Sequence, residues 1–313
     1  MPLTTVSISV LPEQAGRIDA LVRAVSETSH SQARGMIDHG CVSINGDLCD
    51  DVAEEIGEGD EVVLKFDANQ RYREKKKIRW DDRTFTVAYE DDEIIVVDKA
   101  AGTLTVPTDH FEKNTLVDRV SLYLSHSKRP RPAHVIHRLD REVSGLLVMG
   151  KVESAAQKLI DQFKQRKPTR VYSAIVAGVL ADDEGTFDAY LATGNNLDVY
   201  ITAPSTKSER AVTHYKVVKR MDDTTEVEVR LETGKRNQIR VQFAAAGHPV
   251  LGDPRYETEK SMHARWIRKR IALHAATLGF EHPTTGKPMM VESKMPAAMQ
   301  KFLKGGVARQ KER

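Results

Sequence analysis

The chain of 313 residues is 40% hydrophobic and 29% charged, which excludes a membrane-embedded protein and a wholly disordered one. Because domains typically contain about 100–200 residues, this length predicts two of them. The two cysteines, Cys41 and Cys49, lie neither in a CxxC pair nor beside histidines at metal-ligand spacing. We therefore expect neither a zinc fold nor a disulfide framework.

No targeting or membrane segment is evident in the sequence. The first residues, MPLTTVSISVLPEQ, lack a basic start and a long apolar stretch, and nowhere do about 18 apolar residues run together. We expect a cytoplasmic protein without a membrane partner, with a monomer as its default state.

The net charge of +2 conceals an asymmetry along the chain. Residues 1–70 contain 4 Lys and Arg against 13 Asp and Glu, and the remaining 43 basic and 32 acidic residues leave a net charge of +11. The sign changes at 71–83, where seven basic residues meet three acidic ones. We predict a small domain over 1–68, a basic linker over 69–83 and a larger domain over 84–313, whose positive charge fits an anionic partner.

The small domain begins with two predicted helices. Apolar residues recur at helical spacing over 16–25, and a second helix begins at the cap residue Ser29 and ends at Gly40. Two short β-branched runs follow at 41–46 and 60–66, with an Asn-Gly turn closing the first. The pattern predicts two helices packed on a small hairpin.

The order of residues in this region resembles the S4 RNA-binding domain. The matching segments are Arg17-Ile18-Asp19-x-Leu21, Ser31-Gln32-Ala33-Arg34 and Gly40-x-Val42-x-Ile44-Asn45-Gly46, whereas His30 stands where the family usually has Arg. The resemblance implies that the two helices present basic side chains, among them Arg17 and Arg34, to structured RNA. The alternative is a cap without RNA contact, because the net charge of residues 1–70 is −9.

The larger domain contains more predicted strands than helices. Strand-like runs lie at 85–90, 93–99, 144–150, 170–179, 211–218, 225–232 and 270–280, and helical patterns at 116–124, 153–163 and 236–247. Long loops separate some of them, so we predict an α+β fold built on a large mixed or antiparallel sheet. No phosphate-binding loop, dinucleotide fingerprint, His-Glu-x-x-His motif or Ser elbow is found, and we expect neither a nucleotide cofactor nor a metal.

The most informative stretch is His134-Val-Ile-His137-Arg138-Leu139-Asp140-Arg141-Glu142-Val143-Ser144-Gly145-Leu146-Leu147-Val148. Asp140 lies between Arg138 and Arg141, and opposite charges this close would keep its carboxylate ionised. An ionised carboxylate acts as a nucleophile or stabilises developing positive charge, and it does not act as a general acid. Taken alone, Asp140 could equally be a salt-bridge or turn-capping residue.

The whole stretch closely resembles the signature of the RluA-type pseudouridine synthases, His-Arg-Leu-Asp-x-x-Thr-Ser-Gly-Leu-Leu-Val, with Val143 in place of Thr as the single mismatch. Further agreement follows in family order at 94–102, 170–178, 211–215, 233–241, 247–256 and 273–275. The departures include Lys235 where the family has Arg, and Asn237 and Gln242 where it has His. With the S4-like region, the resemblance spans residues 15–300.

This resemblance implies a pseudouridine synthase catalytic domain that isomerises uridine in structured RNA without a cofactor. It assigns to Asp140 the attack on the sugar or the removal of a proton from it. Tyr172 would pack against the target base and take its C5 proton, and Arg240 would pair with Asp140. Arg138 would fill the gap left by the everted base, unless it pairs with Glu142. Large-subunit ribosomal RNA is the expected substrate, with transfer RNA as the alternative.

Further RNA contacts are predicted from basic side chains near the loop 193–208. Lys207 and Arg210 lie there and could bind phosphates, and Lys235 is a third candidate. His137 and His248 are expected to be packing or hydrogen-bonding residues, because no third ligand supports a metal.

Two other functions compete with this interpretation. A catalytically silent RNA- or ribosome-binding protein could keep the same fold, although it would have no chemical need for Asp140, Tyr172 and Arg240 together. A nucleoside hydrolase would need a metal or a second carboxylate about 5–9.5 Å from the first to activate or deliver water. No second acid with comparable motif context is evident, since Glu142 could equally be a surface charge.

Overall fold

A computed structural model describes residues 3–49, 51–72, 83–109, 111–125, 132–194, 198–266 and 270–305. The chain forms two compact units, Met1–Trp80 and Asp81–Arg313. Most of the predicted linker at 69–83 lies outside the described residues. None of the described helices combines the length and the apolar composition needed to cross a membrane.

The N-terminal unit contains six strands and two α-helices among its described residues. These are β1 (Thr4–Ser9), β2 (Gly16–Arg17), α1 (Ile18–Ser26), α2 (His30–Asp38), β3 (Val42–Ile44), β4 (Asp47–Leu48), β5 (Glu55–Ile56) and β6 (Glu61–Phe66), with one 3₁₀ turn at Pro12–Gln14. Strands β1, β6, β3 and β4 pair antiparallel in that order, and β2 pairs with β5.

Both predicted helices of this unit form. Helix α1 buries Ile18, Leu21 and Val22 in the core of the unit. The Ser29 side chain caps α2 by accepting a hydrogen bond from the Gln32 N–H at 3.3 Å. The predicted hairpin strands pair as β3 and β6, but they belong to a four-stranded sheet. Strand β1 was not predicted, because most of its side chains are exposed and its apolar alternation is therefore weak.

The C-terminal unit is built around a large sheet. Its described strands are β7 (Phe85–Glu90), β8 (Ile94–Lys99), β9 (His134–Val135), β10 (Ser144–Gly150), β11 (Thr169–Ala177), β12 (Glu184–Thr193), β13 (Val199–Thr202), β14 (Ser208–Arg220), β15 (Thr224–Leu231), β16 (Leu273–Glu281) and β17 (Pro288–Glu292). Its described helices are α3 (Leu116–Ser125), α4 (Glu153–Lys164), α5 (Gln238–Ala245), α6 (Thr258–Ser261) and α7 (Ala297–Leu303).

These eleven described strands form one mixed sheet. Its order is β13-β12-β14-β15-β11-β16-β10-β8-β7, with β9 on β10 and β17 on β16. Strands β10 and β16 are parallel, and the other paired neighbours are antiparallel. The predicted α+β class with a large mixed sheet is confirmed. Helix α4 covers one face, where Leu159 packs with Val96 and Leu146 of the sheet.

The prediction of a loop over 193–208 is wrong in part. Strand β13 lies inside this segment and pairs antiparallel with β12. Val199 at its start is buried in a cluster with Leu191, Ala211 and Val241. The strand is short and Tyr200 and Ile201 are exposed, so local apolar alternation did not reveal it, and pairing with β12 stabilises it instead.

His137 is held in the neutral form by its surroundings. Its Nε2 accepts a hydrogen bond from the Val148 N–H at 3.2 Å, and its ring stacks on Phe163 at a centroid distance of 4.5 Å. Burial lowers the pKa of His137 to about 3, and the nearby charge of Arg170 acts in the same direction. The unfolded chain therefore binds more protons than the folded chain between about pH 3 and about pH 6.5.

We predict that the stability of the protein falls as the pH drops below about 6.5, by roughly 1.4 kcal/mol per pH unit for each such histidine. The variant His137→Gln keeps an acceptor for Val148 and removes one titrating group. Urea unfolding at several pH values is expected to show a shallower loss for this variant. Some slope will remain, because burial also lowers the pKa of His274. If the free energy of unfolding fell equally steeply with decreasing pH in both proteins, the prediction would be contradicted.

Candidate active site

Asp140 lies in a loop between β9 and β10 that is fixed from both sides. We call residues 136–143 the aspartate loop. Before Asp140, both polar backbone groups of Leu139 bind the Thr105 hydroxyl. The hydroxyl donates to the Leu139 carbonyl at 2.7 Å, and the Leu139 N–H donates to the hydroxyl oxygen at 3.2 Å. After it, the Arg141 carbonyl accepts from the Gly102 N–H at 2.7 Å. The backbone of Asp140 therefore has little freedom to move.

Lys99 at the end of β8 also binds the aspartate loop. Its ammonium group is fully buried and donates to the carbonyls of Arg141, Thr103 and Ala100 at 3.2, 2.8 and 3.0 Å. Burial lowers the pKa of Lys99 to about 7, although the negative charges of Asp140 and Glu142 oppose this shift. Lys99 thus joins the end of β8 to the loop.

The Ser-Gly pair after the loop has a packing role. Gly145 has a φ of +119°, and a Cβ atom there would lie 2.3 Å from the Ala275 carbonyl oxygen. Only glycine lets β10 approach β16 this closely. The Ser144 hydroxyl hydrogen-bonds to His274 Nδ1 at 2.9 Å and accepts from Arg270 at 3.0 Å. These contacts anchor the start of β10, and with it the end of the aspartate loop.

Arg240 on α5 joins two carboxylates. Its Nη1 donates to Asp140 Oδ2 at 2.8 Å, and its Nε and Nη2 donate to the two oxygens of Asp253 at 2.7 and 2.8 Å. The Asp253 side chain is fully buried, whereas 23% of the Asp140 side chain is exposed. Burial opposes the charged form of Arg240, but the hydrogen bonds and charges of both carboxylates outweigh it and raise the pKa of Arg240.

Asp140 forms no ion pair with its sequence neighbours Arg138 and Arg141, which were expected to keep its carboxylate ionised, and it pairs with Arg240, as the family resemblance implied. Arg141 reaches Glu112 at 3.8 Å, and neither Arg138 nor Arg141 lies within 4 Å of the Asp140 carboxylate. Arg138 is exposed and has no ion pair with Glu142 or any other described residue. Neighbours along a turn project in different directions, so the compensating charge comes from Arg240, which is 100 residues away.

The Asp140 carboxylate opens into two cavities that share part of their lining. The smaller, of about 70 Å³, is also lined by Tyr172, Arg138 and Lys235. Tyr172 is buried on β11, beside a β-bulge in the pairing of β11 with β16 that redirects its side chain. Burial raises the pKa of the Tyr172 hydroxyl against the opposing charge of Arg170. The phenol therefore enters the cavity in its neutral form.

The larger cavity, of about 350 Å³, has a basic rim. Exposed arginines surround it, and we call them the arginine rim: Arg138, Arg141, Arg236 and Arg255. Glu142 lines the same cavity. Of these four arginines, sequence analysis identified only Arg138 as an RNA contact. The signal for the others was available, because each lies within or beside a segment that matches the family signature.

The other basic residues predicted to bind RNA lie elsewhere or are paired. Lys235 lines the smaller cavity and forms an ion pair with Glu209. Arg210 donates through two nitrogens to the Asp188 carboxylate. Lys207 is exposed, and neither it nor Arg210 lines the two cavities.

The two arginines predicted in the N-terminal unit differ in their surroundings. Arg17 donates to both oxygens of Asp19 at 3.1 and 3.0 Å, and these bonds, together with the charge of Asp19, raise the pKa of Arg17. Arg34 lies partly buried on α2. The pairing with Asp19 holds the Arg17 side chain in one direction.

The histidines of the signature segments make structural contacts. His137 accepts from the Val148 N–H, and His248 Nδ1 hydrogen-bonds to the Ala177 carbonyl at 2.9 Å. In the part of the chain that the structure describes, no three His, Cys, Asp or Glu side chains cluster in a way that could hold a metal ion.

Comparison with known proteins identifies two families along the chain. Residues 93–245 match the family described as RNA pseudouridylate synthase, and residues 16–62 match the S4 domain. The aspartate loop, Tyr172 and Arg240 all lie inside the first match.

Curated relatives are similar over nearly the whole chain. A protein of Zymomonas mobilis named ribosomal large subunit pseudouridine synthase D is 33% identical, over 96% of this chain and 98% of its own. A protein of Haemophilus influenzae with the same name is 31% identical, over 95% of this chain and 93% of its own. The solved structure of human RNA pseudouridylate synthase domain containing 4 matches with a TM-score of 0.56 and 21% identity, over 68% of this chain and 90% of its own, which supports the fold.

We predict that Arg240→Met lowers the free energy of unfolding by about 3–5 kcal/mol, because it leaves the Asp253 carboxylate buried without a partner. Urea unfolding of the full chain measures the change. The matched control is Arg210→Met, which breaks a two-bond pair at the surface and should leave the midpoint nearly unchanged. Adding Asp253→Asn to Arg240→Met should recover part of the loss. An equal loss in both single arginine variants would contradict the prediction.

Proposed function

The chain belongs to the RNA pseudouridylate synthase family, and from that premise we propose that it converts uridines of large-subunit ribosomal RNA to pseudouridine through the Asp140 carboxylate. One observation carries the assignment of the site. The Asp140 carboxylate is bound by Arg240 at 2.8 Å, yet it remains partly exposed in a cavity with a basic rim. A negatively charged oxygen is thus held where an RNA sugar can reach it.

The reaction needs no redox step and no added group. The C1′–N1 bond of uridine breaks, the uracil turns, and a C1′–C5 bond forms. C5 then loses its proton and N1 gains one, so atoms and charge balance. What the protein must supply is a base for protons, a carboxylate for the electron-deficient sugar and a site that retains the loose uracil.

Asp140 is the group that acts on the sugar. Either it attacks C1′ and forms an ester, or it removes a proton from the sugar, and both routes begin from the ionised carboxylate. The buried Arg240 carries a fixed positive charge beside it. This charge stabilises the ionised form that either route requires.

Tyr172 packs against the uracil and handles the C5 proton. Its neutral hydroxyl can accept that proton only if it releases its own to another base. The Asp140 carboxylate opens into the same cavity and becomes such a base once it has left the sugar. The proton then passes from C5 through the phenol to the carboxylate or to solvent.

The arginine rim and the S4 domain bind the RNA. A uridine inside folded RNA must leave its stack before it can reach Asp140, which costs a few kcal/mol. Arg138 is suited to occupy the space that the base leaves, because it is exposed and has no polar partner among the described residues. The other rim arginines bind the phosphates on either side. Large-subunit ribosomal RNA is favoured because the relatives named above carry it in their names.

We predict that Asp140→Asn abolishes pseudouridine formation, by at least about 10³-fold, while RNA affinity changes little. Asparagine keeps the size of the side chain but supplies neither the charge nor the nucleophilic oxygen. Tritium release from large-subunit ribosomal RNA labelled with [5-³H]uridine measures the reaction, with transfer RNA transcripts in parallel. Normal turnover by Asp140→Asn would overturn the assignment of the site.

The variant Glu142→Gln tests whether a second carboxylate activates water, as a hydrolase would require. Glu142 lines the same cavity as Asp140, so the test is specific. We expect pseudouridine to form without release of free uracil, both in the unaltered protein and in Glu142→Gln. Stoichiometric free uracil from the unaltered protein, lost in Glu142→Gln, would favour the hydrolase instead.

We predict that Arg236→Ala weakens RNA binding about equally for all sequences and lowers the slope of log affinity against log salt concentration by about 1, with kcat little changed. Arg236 lies on the rim and has no ion pair among the described residues. Filter binding at several salt concentrations measures the slope. Lys207→Ala is the comparison, because Lys207 is exposed away from the cavity, and it should change the slope less. The reverse order would place the phosphate contacts at the loop that sequence analysis favoured.

A further inference from the structure

Asn237 occupies a constrained position directly beside the catalytic carboxylate. It precedes α5 with a φ of +52°, a left-handed conformation that asparagine and glycine adopt more readily than other residues. Only 9% of the residue is exposed, and it lines both cavities with Asp140. Asn237 is one of the positions at which the chain departs from the family pattern given above, which has His here.

The hydrogen bonds of Tyr256 fix which way the Asn237 amide faces. The Val199 N–H donates to the Tyr256 hydroxyl at 3.3 Å, so the phenol proton is available for Asn237 Oδ1, which lies 2.9 Å away. The amide nitrogen then faces Asp140, at 2.8 Å from Oδ2 and 3.2 Å from Oδ1. The opposite orientation would set the amide oxygen against the carboxylate oxygens, which are both acceptors.

Tyr256 is itself held in place. Its ring lies over the Arg240 guanidinium, with 5.3 Å between the guanidinium carbon and the ring centroid. Its hydroxyl is bonded to the start of β13, where Val199 is buried against Leu191 and Ala211. These contacts fix the position of the phenol, and the phenol in turn fixes the position of the Asn237 amide.

We propose that Asn237, oriented by Tyr256, is a positioning residue that aims the Asp140 carboxylate at the RNA sugar. Asn237 and Arg240 both place a donor 2.8 Å from Oδ2, which leaves Oδ1 as the less engaged oxygen. Oδ1 is then the atom that attacks or deprotonates the sugar. The inference rests on the proposed function, since it assigns parts within the same site.

The two donors have different tasks. Arg240 carries the charge and is anchored by Asp253, so its removal affects both ionisation and folding. The Asn237 amide adds no charge, so its removal leaves the Arg240 ion pair in place and chiefly alters the direction of the carboxylate. A misdirected carboxylate lowers the rate of the chemical step and leaves RNA binding intact, because a displacement of about 1 Å can cost about 10²-fold in rate.

Steady-state kinetics on RNA labelled with [5-³H]uridine test the proposal, with tritium release as the readout. Asn237→Asp keeps the shape and the left-handed tolerance but turns a donor into an acceptor, and we expect kcat to fall by about 10²-fold with KM within about 3-fold. Asn237→Gly tolerates the same φ and removes the donor without adding charge, and about a 10-fold fall is expected. Both variants should unfold at nearly the temperature of the unaltered protein.

Tyr256→Phe tests the orienting role separately. It keeps the ring over Arg240 and removes only the hydroxyl, so kcat should fall by about 5-fold. In the Asn237→Gly background the same change should add nothing, because the amide it orients is absent. Asn237→His, which can supply a ring N–H, should recover part of the rate lost in Asn237→Gly.

The outcomes separate this inference from the proposed function. If the unaltered protein releases no tritium from ribosomal or transfer RNA transcripts, the proposed function fails. If it is active and Asp140→Asn is not, but Asn237→Asp and Asn237→Gly keep full kcat, only the positioning role is overturned. A loss confined to KM or to the unfolding temperature would overturn it as well.

Discussion

The site depends on one guanidinium shared by two carboxylates. Arg240 is buried and forms ion pairs with two carboxylates. One belongs to Asp253, whose side chain is fully buried, and the other belongs to Asp140, whose side chain is partly exposed. A buried charge is tolerated only when it is paired and hydrogen-bonded, and Asp253 meets that condition through two bonds. Arg240 can therefore stay in place and keep one nitrogen for Asp140. The exposed part of Asp140 stays accessible from the cavity, as the proposed function requires.

The rest of the fold brings these groups together and stops them from moving. Thr105 and Lys99 fix the aspartate loop through its carbonyls. The close parallel pairing of β10 and β16 anchors the end of that loop, and it requires Gly145. The β-bulge in β11 aims Tyr172 into the same cavity. Asp140 lies on a loop, but these hydrogen bonds fix the backbone on both sides of it, which suits the proposed reaction because it needs an aligned carboxylate.

Each strand and helix that sequence patterns predicted in the larger domain is present, but the domain also contains elements that the patterns did not predict. Strands such as β12 and β13 lack a strong apolar alternation and depend on pairing with neighbours. Asp140 stood out because its motif is continuous in sequence. The pair with Arg240 was implied by the family resemblance and is present, whereas Arg138 and Arg141 do not pair with Asp140. The arginine rim was mostly missed, because proximity along the chain says little about where a side chain points in a turn.

The sequence by itself determined the class of reaction, the order of the two domains and the choice of Asp140 as the candidate carboxylate. Short continuous motifs and the distribution of charge along the chain indicate all three. The family resemblance already implied the pair of Asp140 with Arg240, but tertiary structure alone decided that Asp253 anchors this pair and that Asn237 and Tyr256 meet at the site. The physical reason is distance along the chain. Contacts across 100 residues depend on how a sheet is ordered and on which hydrogen bonds are already taken, and neither is a property of a local pattern.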